Sequence, residues 1–144
     1  MNIASILASK GREVVTIGPR QTVRQAVRVL VAHNIGALVV VGEADRPVGI
    51  VSERDIVREA ARNERVFTRT VAAIMTKDVI LGQPQDDLSS VGHTMTERRI
   101  RHLPVMDGGR LVGIVSIGDV VKAQRDRYQG EVETLQTQLL DDRA

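Results

Sequence analysis

Apolar residues in the first half of the chain change from helical to strand-like spacing. Thr22 is a suitable helix cap, and the apolar residues behind it have the spacing of one buried helical stripe: Val23, Ala26, Val27, Leu30 and Val31. The segment 35–41 is short, β-branched and continuously apolar, as expected of a buried strand. A turn at 42–47 leads into a second apolar run at 48–51, so the pattern predicts a hairpin of two adjacent strands.

The end of this pattern occurs twice in the chain. Residues 48–55 read Val-Gly-Ile-Val-Ser-Glu-Arg-Asp, and residues 112–119 read Val-Gly-Ile-Val-Ser-Ile-Gly-Asp. Upstream of this motif, Val14 aligns with Val79 and Pro19 with Pro84, while the first copy carries three extra residues within 9–13. Differences in length that fall only in loops are typical of a structural repeat.

The second copy repeats the same elements. Asp87 can cap a helix with Leu88, Val91 and Met95 on its buried stripe, and strands are expected at 100–106 and 111–115. Each copy then has the order β-α-β-β-α, with closing helices at 53–62 and 117–127. Residues 70–75 are expected to form one helical turn that opens the second copy.

The tail of the chain has a helical pattern of its own. Val132, Leu135 and Leu139 share helical spacing among polar residues, after an expected break at Gly130. Such a helix is either a partner helix or a lid on its own domain. The expected division of the chain is repeat one at 1–62, repeat two at 70–127 and a helical tail at 128–144.

Composition narrows the classes of function. The 144 residues include no cysteine, carry a formal charge of only +2, and hold just two aromatic residues, Phe67 and Tyr128. Disulfides and thiolate chemistry are excluded, and the stacking platform of a single-strand nucleic-acid protein is missing. No apolar run is long enough to span a membrane, and the N-terminus does not resemble a signal peptide, so we expect a cytoplasmic protein.

Metal binding and catalysis have little support in the sequence. The three histidines, His33, His93 and His102, are scattered along the chain without the spacing of a metal site. Neither Ser52 nor Ser116 has a neighbouring base that would make it a nucleophile. We therefore expect no metal and no enzyme activity.

The duplicated pattern resembles the CBS-domain pair, the tandem repeat first known from cystathionine β-synthase. The resemblance covers residues 3–124 and lies in several segments, found in the expected order: Ile-Gly-Ala-Leu-Val-Val at 35–40, Ser-Glu-Arg-Asp at 52–55, Met-Thr at 75–76, Ile-Arg-His-Leu-Pro-Val at 100–105 and Ser-Ile-Gly-Asp at 116–119. It implies an α+β (α/β) fold in which two repeats pack with pseudo-two-fold symmetry into one Bateman-type module. It is most similar to the stand-alone bacterial class of such pairs.

Two Ser-x-x-Asp motifs allow two interpretations. Ser52 with Asp55, and Ser116 with Asp119, stand where a strand turns into a helix and can act as helix caps. By the resemblance, the two aspartates hold ribose hydroxyls while the nearby helix N-terminus attracts phosphate. The two interpretations are compatible with each other.

Other candidate nucleotide-binding residues make the two sites unequal. Arg54 could reach phosphate in the first copy, where the second copy has Gly118. Arg101 and His102 are further phosphate candidates, although a solvated basic face explains them equally well. The resemblance adds residues expected to line the pocket or lie close to the ligand: Thr16, Gly36, Ala37, Ile80 and Pro104.

The resemblance implies a regulatory function. The leading hypothesis is a sensor that binds an adenosyl ligand (AMP, ADP, ATP, NAD or S-adenosylmethionine) between the repeats, forms a homodimer and controls an unknown protein target. The alternative is a structural dimerisation or interaction module without a small ligand. A nucleic-acid partner has little support because the basic cluster at 98–102 is small.

Overall fold

The computed structural model describes residues 1–143, and the account of its side chains extends to residue 140. Within that part of the chain, two repeats of similar architecture follow one another. Short 3₁₀ turns occur at Glu43–Asp45 and Val66–Thr68. The helices and strands, in chain order, are α1 (Ile3–Lys10), β1 (Thr16–Ile17), α2 (Val23–His33), β2 (Ala37–Val41), β3 (Pro47–Ser52), α3 (Glu53–Arg62), α4 (Val71–Ile74), α5 (Leu88–Arg98), β4 (His102–Asp107), β5 (Arg110–Ser116) and α6 (Ile117–Arg143).

Each repeat is built around an antiparallel hairpin of the same register. Ala37 pairs with Ser52 in the first hairpin, and His102 pairs with Ser116 in the second. Each hairpin also has one register shift, after Val40 and after Val105. The equivalent pairings confirm the expected β-hairpin duplication.

The first strand differs between the repeats. β1 runs parallel to β2 and completes a three-stranded sheet. In the second repeat only one isolated bridge, from Gly82 to Val105, takes that place, so the second sheet has two strands. The opening strand of the second copy, expected from the order β-α-β-β-α, was therefore wrong as a regular strand, because the segment around Ile80 makes no continuous ladder.

The predicted helices form where local caps support them. Thr22 accepts a hydrogen bond from the Gln25 amide and begins α2, which ends at Asn34 in a left-handed conformation. Arg99 ends α5 in the same way. These two left-handed residues turn the chain toward β2 and β4, so both strands begin two residues later than the apolar pattern indicated.

The two repeats exchange their opening helices. α1 precedes the first repeat in sequence, yet its Ile3, Ile6 and Leu7 belong to the core of the second repeat, beside Met95 and Val105. Conversely, the segment that opens the second repeat contributes to the core of the first: Val66, Val71, Ile74 and Met75. Neither core is complete without a segment from the other copy.

Two equivalent glycines make room for this exchange. A methyl group added at Gly113 would lie 2.6 Å from a terminal carbon of Leu7 on α1. At Gly49 it would lie 2.5 Å from the sulfur of Met75 and 2.9 Å from the carbonyl oxygen of Thr76. All three distances are too short for real carbon contacts, so each hairpin has glycine where the exchanged helix crosses it.

α6 continues through the tail without interruption. The prediction of a break at Gly130, with the closing helix ending at Arg127, was wrong because α6 runs from Ile117 to Arg143. One glycine costs a helix only about 1 kcal/mol, and the residues around it are good helix formers. Residues 125–140 are all exposed, so this part of the helix is no lid on its own domain. Among residues 1–143, no helix is both long and apolar enough to cross a membrane.

Candidate functional site

A cleft with a volume of about 960 Å³ lies between the repeats. We call it the basic cleft. Seven residues expected from the sequence line it: Gly36, Ser52, Arg54, Asp55, Ile80, Arg101 and His102. Its walls therefore combine the end of the first hairpin with the beginning of the second.

Main-chain hydrogen bonds order the backbone on the first-repeat side of the cleft. The Ile50 amide donates to the Thr76 carbonyl over 3.0 Å, and the Thr76 amide donates back over 2.8 Å. The Glu53 amide donates to the Gly36 carbonyl over 3.0 Å and fixes the first turn of α3 against β2. Backbone pairing between β3 and the segment that opens the second repeat thus joins the two repeats beside the cleft.

Asp55 caps α3 with one oxygen only. Its Oδ2 accepts a hydrogen bond of 2.9 Å from the Ser52 amide, and its own amide donates to Ser52 Oγ over 3.2 Å. Oδ1 accepts no hydrogen bond from any of the described residues. The helix-capping interpretation is therefore correct, and it still leaves one carboxylate oxygen of Asp55 able to accept hydrogen bonds from a ligand.

Four arginines line the same cleft as this carboxylate. Arg54 and Arg58 project from α3, while Arg99 and Arg101 stand at the beginning of the second hairpin. All four are exposed, and none forms an ion pair with another described residue. Guanidinium groups without carboxylate partners are suited to phosphate. The cleft also contains the carboxylates of Glu53, Asp55 and Asp78, so its formal charge is +1 with His102 neutral.

His102 lines the basic cleft and is partly buried. Burial lowers the pKa of His102, and the positive charges of Lys10 and Arg101 lower it further, against the opposing effect of Asp119 and Asp55. The imidazole is therefore neutral at pH 7, with one nitrogen able to donate and the other able to accept a hydrogen bond.

Five residues expected at the site do not line the basic cleft. Ala37 and Pro104 are buried within their strands, and Thr16 is exposed on β1. Ser116 and Asp119 lie at the position equivalent to Ser52 and Asp55, at the start of α6.

The position around Asp119 is occupied by a lysine of this chain. Asp119 Oδ2 accepts hydrogen bonds from the Ser116 amide, over 2.9 Å, and from Lys10 Nζ, over 2.6 Å. Lys10 also donates to the Ile114 carbonyl over 2.9 Å. Burial alone would raise the pKa of Asp119, but hydrogen bonds from Lys10 and Ser116 outweigh burial and leave the pKa below its usual value. This carboxylate is ionised and already paired.

Several residues that line the basic cleft were not among the site residues predicted from the sequence. Arg58 follows Arg54 by one helical turn, a spacing that places both on one face of α3. Asp78 and Arg99 flank segments already assigned to the site. Lys10 lies in the segment that distinguishes the first copy from the second, but no sequence feature connects it to Asp119, which is 109 residues away.

No group of three or more His, Asp or Glu side chains that could hold a metal ion occurs in the described part of the chain.

Family comparison agrees with this architecture. The CBS domain family matches residues 7–62 and 71–126, and the chain belongs to this family. It is 36% identical over 142 residues to the mitochondrial CBS domain-containing protein CBSX3 of Arabidopsis thaliana, covering 92% of this chain and 69% of that protein. The predicted resemblance to a tandem CBS pair and the predicted α+β fold are both confirmed.

Two solved structures extend the comparison. The crystal structure of the CBS-domain containing protein ATU1752 from Agrobacterium tumefaciens has a TM-score of 0.82 at 41% identity, covering 86% of this chain and 99% of that one. The CBS domain pair of protein MJ0100, in complex with 5′-methylthioadenosine and S-adenosyl-L-methionine, has a TM-score of 0.77 at 26% identity. That match covers 88% of this chain and 98% of the other. The chain is a CBS pair, a module that in MJ0100 binds adenosyl compounds.

Proposed function

We propose that this protein is a non-enzymatic regulatory module that binds one adenosyl ligand in the basic cleft and controls a protein partner. The observation that carries the proposal is the carboxylate of Asp55, which lines a 960 Å³ cleft, forms no ion pair with a described residue and accepts no hydrogen bond from one through Oδ1. The complex of MJ0100 with two adenosyl compounds supports the class of ligand. AMP, ADP, ATP, NAD and S-adenosylmethionine are the candidates.

Each group has a role in this proposal. Asp55 accepts hydrogen bonds from the ribose hydroxyls through Oδ1 while Oδ2 keeps capping α3. Arg54 and Arg101, together with the exposed N-terminus of α3, bind phosphate. Ile80 and its neighbour Val79 provide apolar contact for the base.

Occupancy is expected to be one ligand per chain. Asp119 has the same capping geometry as Asp55, but its carboxylate is already paired with Lys10. A ribose at that position would meet a carboxylate whose charge is already balanced by Lys10, and Gly118 offers no cation in place of Arg54. We therefore propose that the ligand binds only in the basic cleft.

Regulation requires the ligand to bind two states of the module differently. The basic cleft includes residues from both repeats, so a ligand within it acts on their relative position. We expect the protein to form a homodimer and to act on a protein target in the cytoplasm. Cell fractionation tests the location, since the relative from Arabidopsis thaliana is named as mitochondrial.

Thermal unfolding with a panel of the five candidate ligands tests the proposal. A ligand at a hundredfold excess over its Kd stabilises the folded state by about 2.7 kcal/mol. The matched pair of variants is Asp55→Asn and Asp119→Asn, because both residues cap a helix in the same way. We expect Asp55→Asn to lose the ligand-induced shift and Asp119→Asn to keep it.

The opposite results are equally informative. If none of the five compounds shifts the unfolding temperature of the unaltered protein, a structural interaction module becomes the better description. If ligands bind Asp55→Asn as tightly as the unaltered protein, Asp55 is only a cap and the ribose site lies elsewhere.

A further inference from the structure

The exposed half of α6 has an apolar face that its own domain does not cover. Five large apolar side chains on it are more than half exposed: Val121, Tyr128, Val132, Leu135 and Leu139. Side chains at these positions are normally covered in a protein with an otherwise well-buried core. We call this face, together with Arg125, the tail seam.

The tail seam has the spacing of a coiled coil. Successive members from Val121 to Leu139 are separated alternately by four and three residues, which is the alternation of the two core positions of a heptad. Arg125 is the only polar residue in this series. The spacing keeps all six side chains on one stripe that is about 27 Å long, from the helical rise of about 1.5 Å per residue.

Charge along the helix favours one orientation of a second copy. Residues 122–130 contain three cations and one anion, a net charge of +2, while residues 131–140 contain two glutamates and no cation. Two such helices side by side in antiparallel orientation place the basic half of each against the acidic half of the other. A parallel pair would instead bring the two Arg125 side chains together in one layer of the seam.

The area of the seam is sufficient for such a pair. Burial of five large apolar side chains that are now mostly exposed removes on the order of 500 Å² from water per chain, so two chains together reach the roughly 1,000 Å² of a specific interface. The helix is already formed in each chain, so pairing does not have to overcome the cost of helix nucleation.

We propose that the tail seam is an antiparallel, isologous contact with a second copy of this chain. Its two-fold axis passes near Gly130, so that Val121 packs on Leu139 of the second copy and Tyr128 packs on Val132 of the second copy. Arg125 then lies opposite Leu135, within the acidic half of the other helix. This contact does not depend on ligand binding in the basic cleft.

Light scattering coupled to size-exclusion chromatography tests whether the seam forms the contact. We expect the full-length protein to be a dimer, and Leu135→Glu to raise its dissociation constant at least tenfold. The matched control is Leu140→Glu, which introduces the same charge at an equally exposed leucine one position off the seam and should leave the dimer intact. A monomeric full-length protein, or equal effects of the two variants, overturns the proposal.

Cross-linking tests the orientation independently, and the chain has no cysteine to interfere. Disulfides require Cα atoms within about 7 Å. The double variant Val121→Cys/Leu139→Cys should form covalent dimers under mild oxidation, while neither single variant should. Dimers from the single variants would indicate a parallel pair and overturn the proposal. Failure of the double variant to cross-link would overturn it as well.

Discussion

Lys10 Nζ lies 2.6 Å from Oδ2 of Asp119 and joins the first helix of the chain to the start of the last one. The equivalent carboxylate, Asp55, forms no ion pair with a described residue. The two repeats share a capping motif and a hairpin register, but the capping oxygen of Asp119 also accepts a hydrogen bond from Lys10, whereas that of Asp55 accepts one only from the Ser52 amide among the described residues. The Asp119 carboxylate is paired with the ammonium group of Lys10, whereas we propose that the Asp55 carboxylate binds a ligand.

Removal of this ammonium group should open the second site. In Lys10→Ala, Asp119 keeps its bond from the Ser116 amide but loses its partner of opposite charge. We expect the number of ligands bound per chain, measured by isothermal titration calorimetry, to rise from one toward two. Lys122→Ala is the control, because Lys122 forms no ion pair with a described residue. An unchanged stoichiometry in Lys10→Ala would show that other features close the second site.

Local features of the sequence were sufficient to predict the repeat and its caps. The helix at Glu53–Arg62 and the reciprocal bonds of Ser52 and Asp55 follow from residues close together in sequence. The duplication also predicted a hairpin in each copy, and the two hairpins have the same register. These features depend on spacing and on turn chemistry, which the sequence shows directly.

Contacts between distant segments could not be predicted in the same way. The sequence places α1 in the first repeat, but Leu7 packs in the second core, against Gly113. Apolar periodicity shows that a helix has a buried face without showing which core it enters. The pair of Lys10 and Asp119 is of the same kind, and it changes the proposed number of sites.

The contacts where the exchanged segments cross the hairpins predict that alanine at the two equivalent glycines, Gly49 and Gly113, lowers stability by different amounts. Gly49→Ala should destabilise the protein more than Gly113→Ala, because its new methyl group meets a backbone carbonyl as well as Met75, whereas Gly113 meets only the flexible end of Leu7. Overpacking of this kind costs about 1–3 kcal/mol. Urea unfolding measures the difference, with Gly130→Ala as a control that meets nothing within 4 Å. An equal decrease in the free energy of unfolding for Gly49→Ala and Gly113→Ala would contradict the close approach of the Thr76 carbonyl to Gly49.

The lowered pKa of His102 predicts a loss of stability in mild acid. In the folded protein the imidazole stays neutral, chiefly because it is buried, at a pH where the unfolded chain has already taken up a proton. The unfolded state then binds more protons, so the free energy of unfolding decreases as the pH falls below about 6.5. The loss stops once the pH is below the folded-state pKa and both states are protonated.

Substitution of His102 should remove this part of the pH dependence. We expect His102→Gln to show a smaller decrease in the free energy of unfolding than the unaltered protein between about pH 7.5 and pH 5.5. His93→Gln is the control, since the His93 side chain is 76% exposed. Urea unfolding at several pH values gives the comparison. A pH dependence in His102→Gln identical to that of the unaltered protein would exclude His102 as its source.

The arginines of the basic cleft should distinguish phosphorylated ligands from uncharged ones. A charged hydrogen bond contributes about 1.5–3 kcal/mol, so Arg101→Ala should weaken ATP binding roughly ten- to a hundredfold while it leaves adenosine binding nearly unchanged. Arg110→Ala is a suitable control because Arg110 lies on the same hairpin but outside the cleft. Calorimetric titration with both compounds provides the measurement. Equal weakening of adenosine and ATP binding in Arg101→Ala would mean that the guanidinium shapes the cleft and does not bind phosphate. The phosphate site would then be expected near Arg54 and Arg58, on the first turns of α3.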